Sequence, residues 1–195
     1  MKISIVTINL NNAEGLASTL RSVTDQTYSD IEYNVIDGAS GDRSREIIKQ
    51  FNEHISYWVS EPDNGIYNAM NKGIAAASGD YLLFLNSGDT LYSDEVIEQA
   101  VKCGLNNDLV YGNLIYINRA TSRDWIPPVR LTFMLFYEST IPHPSTFIKR
   151  SLFDKVGVFD ETLSIVSDWK FFLLAVCRDN CSYSHINLAI ANFNE

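Results

Sequence analysis

The chain has 195 residues, 46% of them hydrophobic, and a formal net charge of −9 at pH 7. This length and composition predict one soluble domain, and the acidic balance argues against a nucleic-acid partner, which would require a basic face. The three cysteines lack a matching histidine pair, which favours reduced thiols of a cytosolic protein over a zinc site. The sequence shows neither a signal-peptide pattern nor an apolar run of roughly 18 residues that could span a membrane.

The first half of the chain alternates between strand and helix patterns. Apolar, β-branched runs that end at polar residues are typical of buried strands, and apolar residues at helical spacing predict helices. The predicted strands are residues 2–9, 31–37, 55–60 and 81–85, and the predicted helices are residues 13–24, 43–53, 67–77 and 93–105. This alternation predicts an α/β fold whose mostly parallel central sheet carries helices on both faces.

The pattern changes after residue 106. Residues 109–119 and 124–129 are predicted to pair as a small antiparallel hairpin; the remaining predicted elements are a strand at 146–148 and helices at 151–156 and 167–178. Residues 131–137 are very apolar and could contact a lipid carrier or a membrane surface, but they lack a basic polar face, so burial in the core is the preferred interpretation. A nucleotide-binding first half joined to a second half that holds the other substrate is the expected organisation.

The segment from Ser78 to Asp89 is the most informative part of the sequence. An apolar strand ends there on a polar cluster that contains the carboxylate of Asp89. Open α/β sheets place their ligands at the carboxyl ends of such strands. The pattern indicates a carboxylate that holds a divalent cation against an anionic substrate, and the alternative is an N-cap of the following helix.

Motifs in a fixed order along the chain carry a resemblance to a known family. They are residues 4–12, residues 35–42, residues 64–73, residues 79–89, His143 within residues 142–145, and Asp168 within residues 167–169. Together they resemble the family 2 glycosyltransferases of the GT-A fold over about residues 2–178, and residues 64–73 resemble members that assemble bacterial surface polysaccharides. Two features differ from the family pattern: the acidic motif is reduced to Asp89, and Gly38 stands where the family has a second aspartate.

The resemblance implies an inverting, metal-dependent hexosyl- or N-acetylhexosaminyltransferase. Its donor would be a nucleotide-diphosphate sugar, with a UDP-sugar expected, and its acceptor a hydroxyl of a glycan or a lipid-linked molecule in polysaccharide biosynthesis. The cofactor would be Mg²⁺ or Mn²⁺. Residues 1–195 would form a single GT-A domain with a nucleotide-sugar half (about residues 1–106) and an acceptor half (about residues 107–195), located in the cytoplasm, with peripheral association at the inner face of the membrane as a further expectation.

The resemblance also implies roles for individual residues. Asp168 would be the catalytic base, and Asp89 and His143 would bind the metal. The residues expected to bind the donor are Asn9, Asn11, Asp37, Asn71, Lys72 and Asn86. Several have a purely structural alternative: a helix cap for Asn9 and Asn11, a turn residue for Asp37, a solvated lysine for Lys72, a loop histidine for His143 and a helix-terminal acid for Asp168.

Two other functions are compatible with parts of the sequence. A non-catalytic module that binds nucleotide sugars or carbohydrates would explain the reduced acidic motif. A nicotinamide-dependent oxidoreductase would require a Gly-x-Gly-x-x-Gly turn after the first strand, and residues 9–12 read Asn-Leu-Asn-Asn instead, which disfavours that class.

Overall fold

A computed structural model describes residues 1–118 and 121–194. In these ranges the strands are β1 (Ile3–Asn9), β2 (Ile31–Asp37), β3 (Tyr57–Ser60), β4 (Tyr81–Phe84), β5 (Thr90–Leu91), β6 (Leu109–Ile117), β7 (Ser122–Trp125), β8 (Thr146–Lys149) and β9 (Tyr183–Asn194). The helices are α1 (Ala13–Thr24), α2 (Ser44–Gln50), α3 (Ile66–Ala76), α4 (Val96–Cys103), α5 (Phe133–Glu138), α6 (Arg150–Val156) and α7 (Ser167–Leu173), and α7 continues as a π-helical turn, Leu174–Arg178.

One sheet contains all of these strands, in the order β3-β2-β1-β4-β8-β6-β9-β5, and β7 pairs with β6. The pairs among β1 to β4 are parallel, and so is the pair of β6 with β9, whereas β8 pairs antiparallel with both β4 and β6. In the parallel part, Asn9 is in register with Asp37, and Asp37 with Ser60. The polar residues that end these three strands therefore lie side by side at one edge of the sheet.

Apolar layers cover both faces of the sheet, as the side-chain alternation of β1 illustrates. Ile3 and Ile5 pack in a layer with α1, α2 and α4, while Val6 and Ile8 pack in the opposite layer with α3, α6 and α7. Each large apolar side chain buried in this way contributes about 1.5–3 kcal/mol. The predicted α/β fold with helices on both faces is confirmed.

The second half differs from the prediction in several places. The antiparallel hairpin is present, but its second strand is β7 rather than residues 124–129, and Arg119 of the predicted first strand lies outside the described residues. The long strand β9 was not predicted. The apolar stretch 131–137 is only partly buried, because Phe133, Met134 and Tyr137 of α5 are 66%, 63% and 78% exposed. None of the helices in the described ranges has the length and apolarity to cross a membrane.

Candidate active site

A cavity of about 250 Å³ opens where β1 and β4 end and α3 begins. Its wall combines apolar side chains with polar groups, and the lining residues are Ile8, Asn9, Leu10, Asp63, Gly65, Ile66, Ala69, Asn86 and Ser87. The structure thus brings together Asn9 and Asn86, which the sequence analysis assigns to donor binding. Asp63 is a lining residue that the sequence analysis did not select. We call this cavity the donor crevice.

Asp37 lies behind the wall of the donor crevice and is completely buried. Its Oδ1 accepts hydrogen bonds from Asn9 Nδ2 at 2.7 Å and Ser40 Oγ at 2.5 Å. Its Oδ2 accepts from the Ser40 backbone N–H at 3.1 Å and from Ser60 Oγ at 2.5 Å. Burial acts to raise the pKa of Asp37, but these hydrogen bonds outweigh it and lower the pKa below its usual value. The carboxylate therefore organises the strand ends, since its oxygens are already engaged within the chain.

The hydrogen bond to Asp37 fixes the orientation of the Asn9 side-chain amide. Because Asp37 can only accept, the Asn9 amide must present its nitrogen to that carboxylate. Its Oδ1 is then directed away, is buried, and has no hydrogen-bond partner within residues 1–118 and 121–194. A buried acceptor without a donor is costly, which makes this oxygen a natural ligand contact in the donor crevice.

Three other residues assigned to donor binding have different surroundings. Asn11 is exposed with φ of 51°, and it braces the loop after β2 through its contacts with Ser40 (2.8 Å) and the Gly41 N–H (2.8 Å). Asn71 donates to the Phe159 carbonyl at 2.9 Å, tying α3 to the chain before α7.

Lys72 forms an ion pair with Glu61 at 2.7 Å and donates to the Pro62 carbonyl at 3.0 Å. It lines a separate surface depression beside β3. The structure does not place Asn11, Asn71 or Lys72 on the wall of the donor crevice. Each of them instead contacts another part of the chain.

Asp89 is 4% exposed, and its Oδ2 has no hydrogen-bond partner among the described residues. Burial raises the pKa of Asp89 to about 6, although the nearby imidazole of His143 and the backbone N–H groups of Asn194 and Asn86 act in the opposite direction. Asn86 Oδ1 is likewise buried without a partner in the described ranges. Two buried acceptor oxygens that follow β4 thus lack a hydrogen-bond donor within the described residues.

His143, Asp168 and Tyr67 form a hydrogen-bonded network next to Asn86. The Tyr67 hydroxyl donates to Asp168 Oδ1 at 2.9 Å, and His143 Nδ1 lies 3.0 Å from Oδ2. Burial would raise the pKa of Asp168, but its hydrogen bonds with His143 and Tyr67 outweigh burial and lower the pKa to about 2. Since the carboxylate is ionised, Nδ1 carries a proton, and His143 Nε2 is left as the acceptor for Asn86 Nδ2 at 3.2 Å.

A second cavity, of about 650 Å³, has Asp168 in its wall. Its lining residues come from α3, from α5 and the turn after it, and from the start of α7: Tyr67, Phe136, Tyr137, Glu138, Ser139, Thr140, Ile165, Val166, Asp168 and Trp169. Val166 adopts a left-handed conformation with φ of 69° just before α7. That conformation is a genuine outlier for a β-branched residue, and strain of this kind concentrates at functional sites. We call this cavity the acceptor cavity.

The end of β4 supplies few metal ligands of its own. The described residues contain no group of three or more His, Cys, Asp or Glu side chains that could hold a metal ion. They do offer the unpartnered oxygens of Asp89 and Asn86, with His143 Nε2 next to the amide. Mg²⁺ is commonly held by one or two carboxylates, with substrate phosphates and waters completing its shell, and His143 has the carboxylate partner that metal-bound histidines use. The residues present fit such a cation.

Comparison with known proteins places the chain among sugar-transferring enzymes. Residues 4–166 match the family model described as glycosyl transferase family 2. An uncharacterized glycosyltransferase of Mycobacterium tuberculosis H37Rv is 38% identical over 184 residues, which cover 90% of this chain and 70% of that protein. A PGL/p-HBAD biosynthesis glycosyltransferase of Mycobacterium bovis BCG is 31% identical over 198 residues, which cover 98% of this chain and 76% of that protein.

Solved structures share the fold at lower sequence identity. S. aureus TarS 1-349 in complex with UDP superposes with a TM-score of 0.81 at 18% identity, covering 100% of this chain and 61% of that one. The mannosyltransferase PcManGT from Pyrobaculum calidifontis, in complex with GDP-Man and Mn²⁺, has a TM-score of 0.72 at 15% identity, covering 98% and 56%. The chain therefore spans less than two thirds of these solved chains.

Proposed function

The chain belongs to glycosyl transferase family 2, and on that premise we propose that it is an inverting enzyme that moves a sugar from a nucleotide-diphosphate donor to a hydroxyl group. The observation that carries this proposal is the continuous line of contacts from Asn86 through His143 to Asp168. Asn86 lines the donor crevice and Asp168 lines the acceptor cavity. This network therefore connects a residue on the wall of the donor crevice with a residue on the wall of the acceptor cavity.

Asp168 is the proposed catalytic base. As the acceptor oxygen bonds to the anomeric carbon, the bond from that carbon to the diphosphate breaks, and the hydroxyl proton passes to Asp168. Attack on the face opposite the leaving group inverts the anomeric carbon, and no protein nucleophile is required. With a pKa of about 2, the carboxylate is ionised at any physiological pH. Such a carboxylate is too weak a base to deprotonate a free hydroxyl. The proton is therefore transferred only once attack on the anomeric carbon has made the hydroxyl acidic.

Tyr67 and His143 are proposed to position that base. Each donates to a different oxygen of Asp168, which fixes the plane of the carboxylate. The negative charge of Asp168 contributes, after burial, to raising the pKa of Tyr67 to about 12, so the phenol remains a donor. This network holds the carboxylate at the wall of the acceptor cavity before an acceptor arrives.

Mg²⁺ or Mn²⁺ is the proposed cofactor, held by Asp89 with Asn86 Oδ1 and His143 Nε2 beside it. When bound, such a cation stabilises the negative charge that develops on the departing diphosphate. Support comes from the buried, unpartnered oxygens and from the raised pKa of Asp89. A bound cation would give the unpartnered oxygens a partner and would stabilise the ionised form of Asp89. It would also offset the protein's net charge of −9 where an anionic donor binds.

A UDP-hexose or UDP-N-acetylhexosamine is the proposed donor, and a glycan or lipid-linked hydroxyl the proposed acceptor, in bacterial polysaccharide biosynthesis at the inner face of the cytoplasmic membrane. TarS structures contain UDP or UDP-GlcNAc, and the M. bovis relative is named for PGL/p-HBAD biosynthesis. The exposed side chains of α5, Phe133, Met134 and Tyr137, give an apolar surface beside the acceptor cavity, which suits contact with a lipid.

The alternative is a non-catalytic module that binds nucleotide sugars without turnover, favoured by the single carboxylate at the end of β4. Incubation with Mn²⁺ and a panel of nucleotide sugars and acceptors, with detection of released nucleoside diphosphate, separates the two. We expect release by the parent protein, and we expect Asp168→Asn to retain donor binding while losing transfer by about 10²-fold or more. Asp25→Asn, an exposed substitution, is the matched control. Unchanged transfer in Asp168→Asn would remove that residue as the base; donor binding without any release would favour the module.

A further inference from the structure

Gly38, the residue after β2, leaves room for a carboxylate from elsewhere in the chain. A Cβ atom placed on Gly38 would overlap Oδ2 of Asp63 and would also meet Leu10 at 3.3 Å. Asp63 comes from the loop between β3 and α3, 25 residues later in the sequence. Its carboxylate fills the space that any side chain at position 38 would need.

The Asp63 carboxylate is held at one oxygen and available at the other. The Gly65 N–H donates to Oδ1 at 3.0 Å, and Gly65 permits this tight turn because its φ of 107° is accessible mainly to glycine. For Oδ2, the part of the chain that the structure describes provides neither a hydrogen-bond donor nor a cation. Asp63 lines the donor crevice, so its carboxylate can accept a hydrogen bond from a ligand bound there.

The surroundings of Asp63 suit a flat, partly apolar ligand with N–H or O–H groups. Ile8, Leu10, Ile66 and Ala69 supply apolar wall. The buried Asn9 Oδ1, which the contact with Asp37 fixes in place, adds a second acceptor that lacks a donor within the described ranges. A nucleobase has apolar faces and hydrogen-bonding edges, and it matches this combination of walls and acceptors.

We propose that Asp63 selects the base of the nucleotide donor by accepting a hydrogen bond from a ring imino N–H group. This inference rests on the proposed function, because it concerns the donor of that reaction. Uracil and guanine each carry a ring N–H at the relevant edge, whereas cytosine and adenine present a bare ring nitrogen there, whose lone pair a carboxylate repels. Donors built on uridine or guanosine are selected, and donors built on cytidine or adenosine are rejected.

The test is calorimetric binding of UDP, CDP, GDP and ADP, each with Mg²⁺. All four share the ribose and the diphosphate, and within the size-matched pairs UDP/CDP and GDP/ADP the bases differ at the ring nitrogen and at the exocyclic groups beside it. We expect the parent protein to prefer UDP over CDP, or GDP over ADP, by at least about tenfold, the range for a hydrogen bond to a charged group. Whichever pair shows the preference identifies the size of the base.

Two variants test directly whether Asp63 causes this preference. Asp63→Asn is nearly isosteric, and its amide can donate to a bare ring nitrogen, so the preference should fall to about threefold or less. Gly38→Ala keeps the charge but displaces the carboxylate, and should reduce the preference similarly. Asp25→Asn, which removes one exposed carboxylate elsewhere, should leave the preference intact.

These binding measurements separate the role of Asp63 from the proposed function. If UDP or GDP binds but the preference is unchanged in Asp63→Asn, or if the parent protein binds all four equally, the role of Asp63 is refuted while the proposed function stands. If the folded parent protein binds none of the four nucleotides, the proposed function fails and this inference fails with it.

Discussion

Replacement of Asp89 by asparagine tests the electrostatics of the site through protein stability. Burial raises the pKa of Asp89 from 3.8 to about 6. In the unfolded chain the carboxyl ionises near its ordinary value, so between about pH 4 and pH 6 the folded state holds a proton that the unfolded state has lost. Stability therefore falls as pH rises through this window, and a difference of roughly 2 pKa units corresponds to about 3 kcal/mol above pH 6. Asparagine carries no charge and avoids this loss.

We expect metal-free Asp89→Asn to be more stable than the parent protein at pH 7.5 by up to about 3 kcal/mol, and to lose that advantage at pH 4. The assay is urea unfolding followed by circular dichroism at both pH values in the presence of EDTA, with Asp25→Asn as the exposed control. Addition of Mn²⁺ at pH 7.5 should raise the Tm of the parent protein and leave that of Asp89→Asn almost unchanged. A stability difference between Asp89→Asn and the parent that is equal at pH 4 and pH 7.5 would refute the reasoning.

Two further substitutions address the network and the strained turn. His143→Gln removes a group that lowers the pKa of Asp168, so the acidic limb of the pH–kcat profile should move to higher pH. We also expect kcat to fall about tenfold or more. An acidic limb that does not shift would mean that His143 does not act on Asp168. Val166→Asn places a residue that tolerates the left-handed region at φ of 69°, so thermal unfolding should show a gain of about 1 kcal/mol, and a loss of stability would contradict the assigned strain.

Much of the donor side could be predicted from the sequence, because parallel strands place their last residues at one edge of the sheet. The register of Asn9 with Asp37 follows directly from that rule. The division of roles between them could not be predicted. Asp37 accepts hydrogen bonds from Asn9, Ser40 and Ser60, and only the three-dimensional contacts reveal that the Asn9 oxygen has no hydrogen-bond partner among the residues that the structure describes.

Features that depend on distant parts of the chain left no local signal. Asp63 reads as an ordinary loop residue, and its role becomes visible only because Gly38 leaves space for its carboxylate. Strand β9 pairs in parallel with β6, more than 60 residues earlier, and its last residues reach the end of β4, where the Asn194 backbone contacts Asp89. Tyr67 follows a helical apolar pattern, and nothing in that pattern indicates that its hydroxyl meets Asp168, 101 residues later.

The central claim is that the donor crevice and the acceptor cavity form one site for sugar transfer, and a crystal structure with UDP and Mn²⁺ tests it most directly. We predict that the base lies in the donor crevice against Asp63 and that the diphosphate and Mn²⁺ lie at Asp89, within reach of His143 and on the donor side of Asp168. A nucleotide bound on another surface, or Mn²⁺ held without contact to Asp89, would contradict the account.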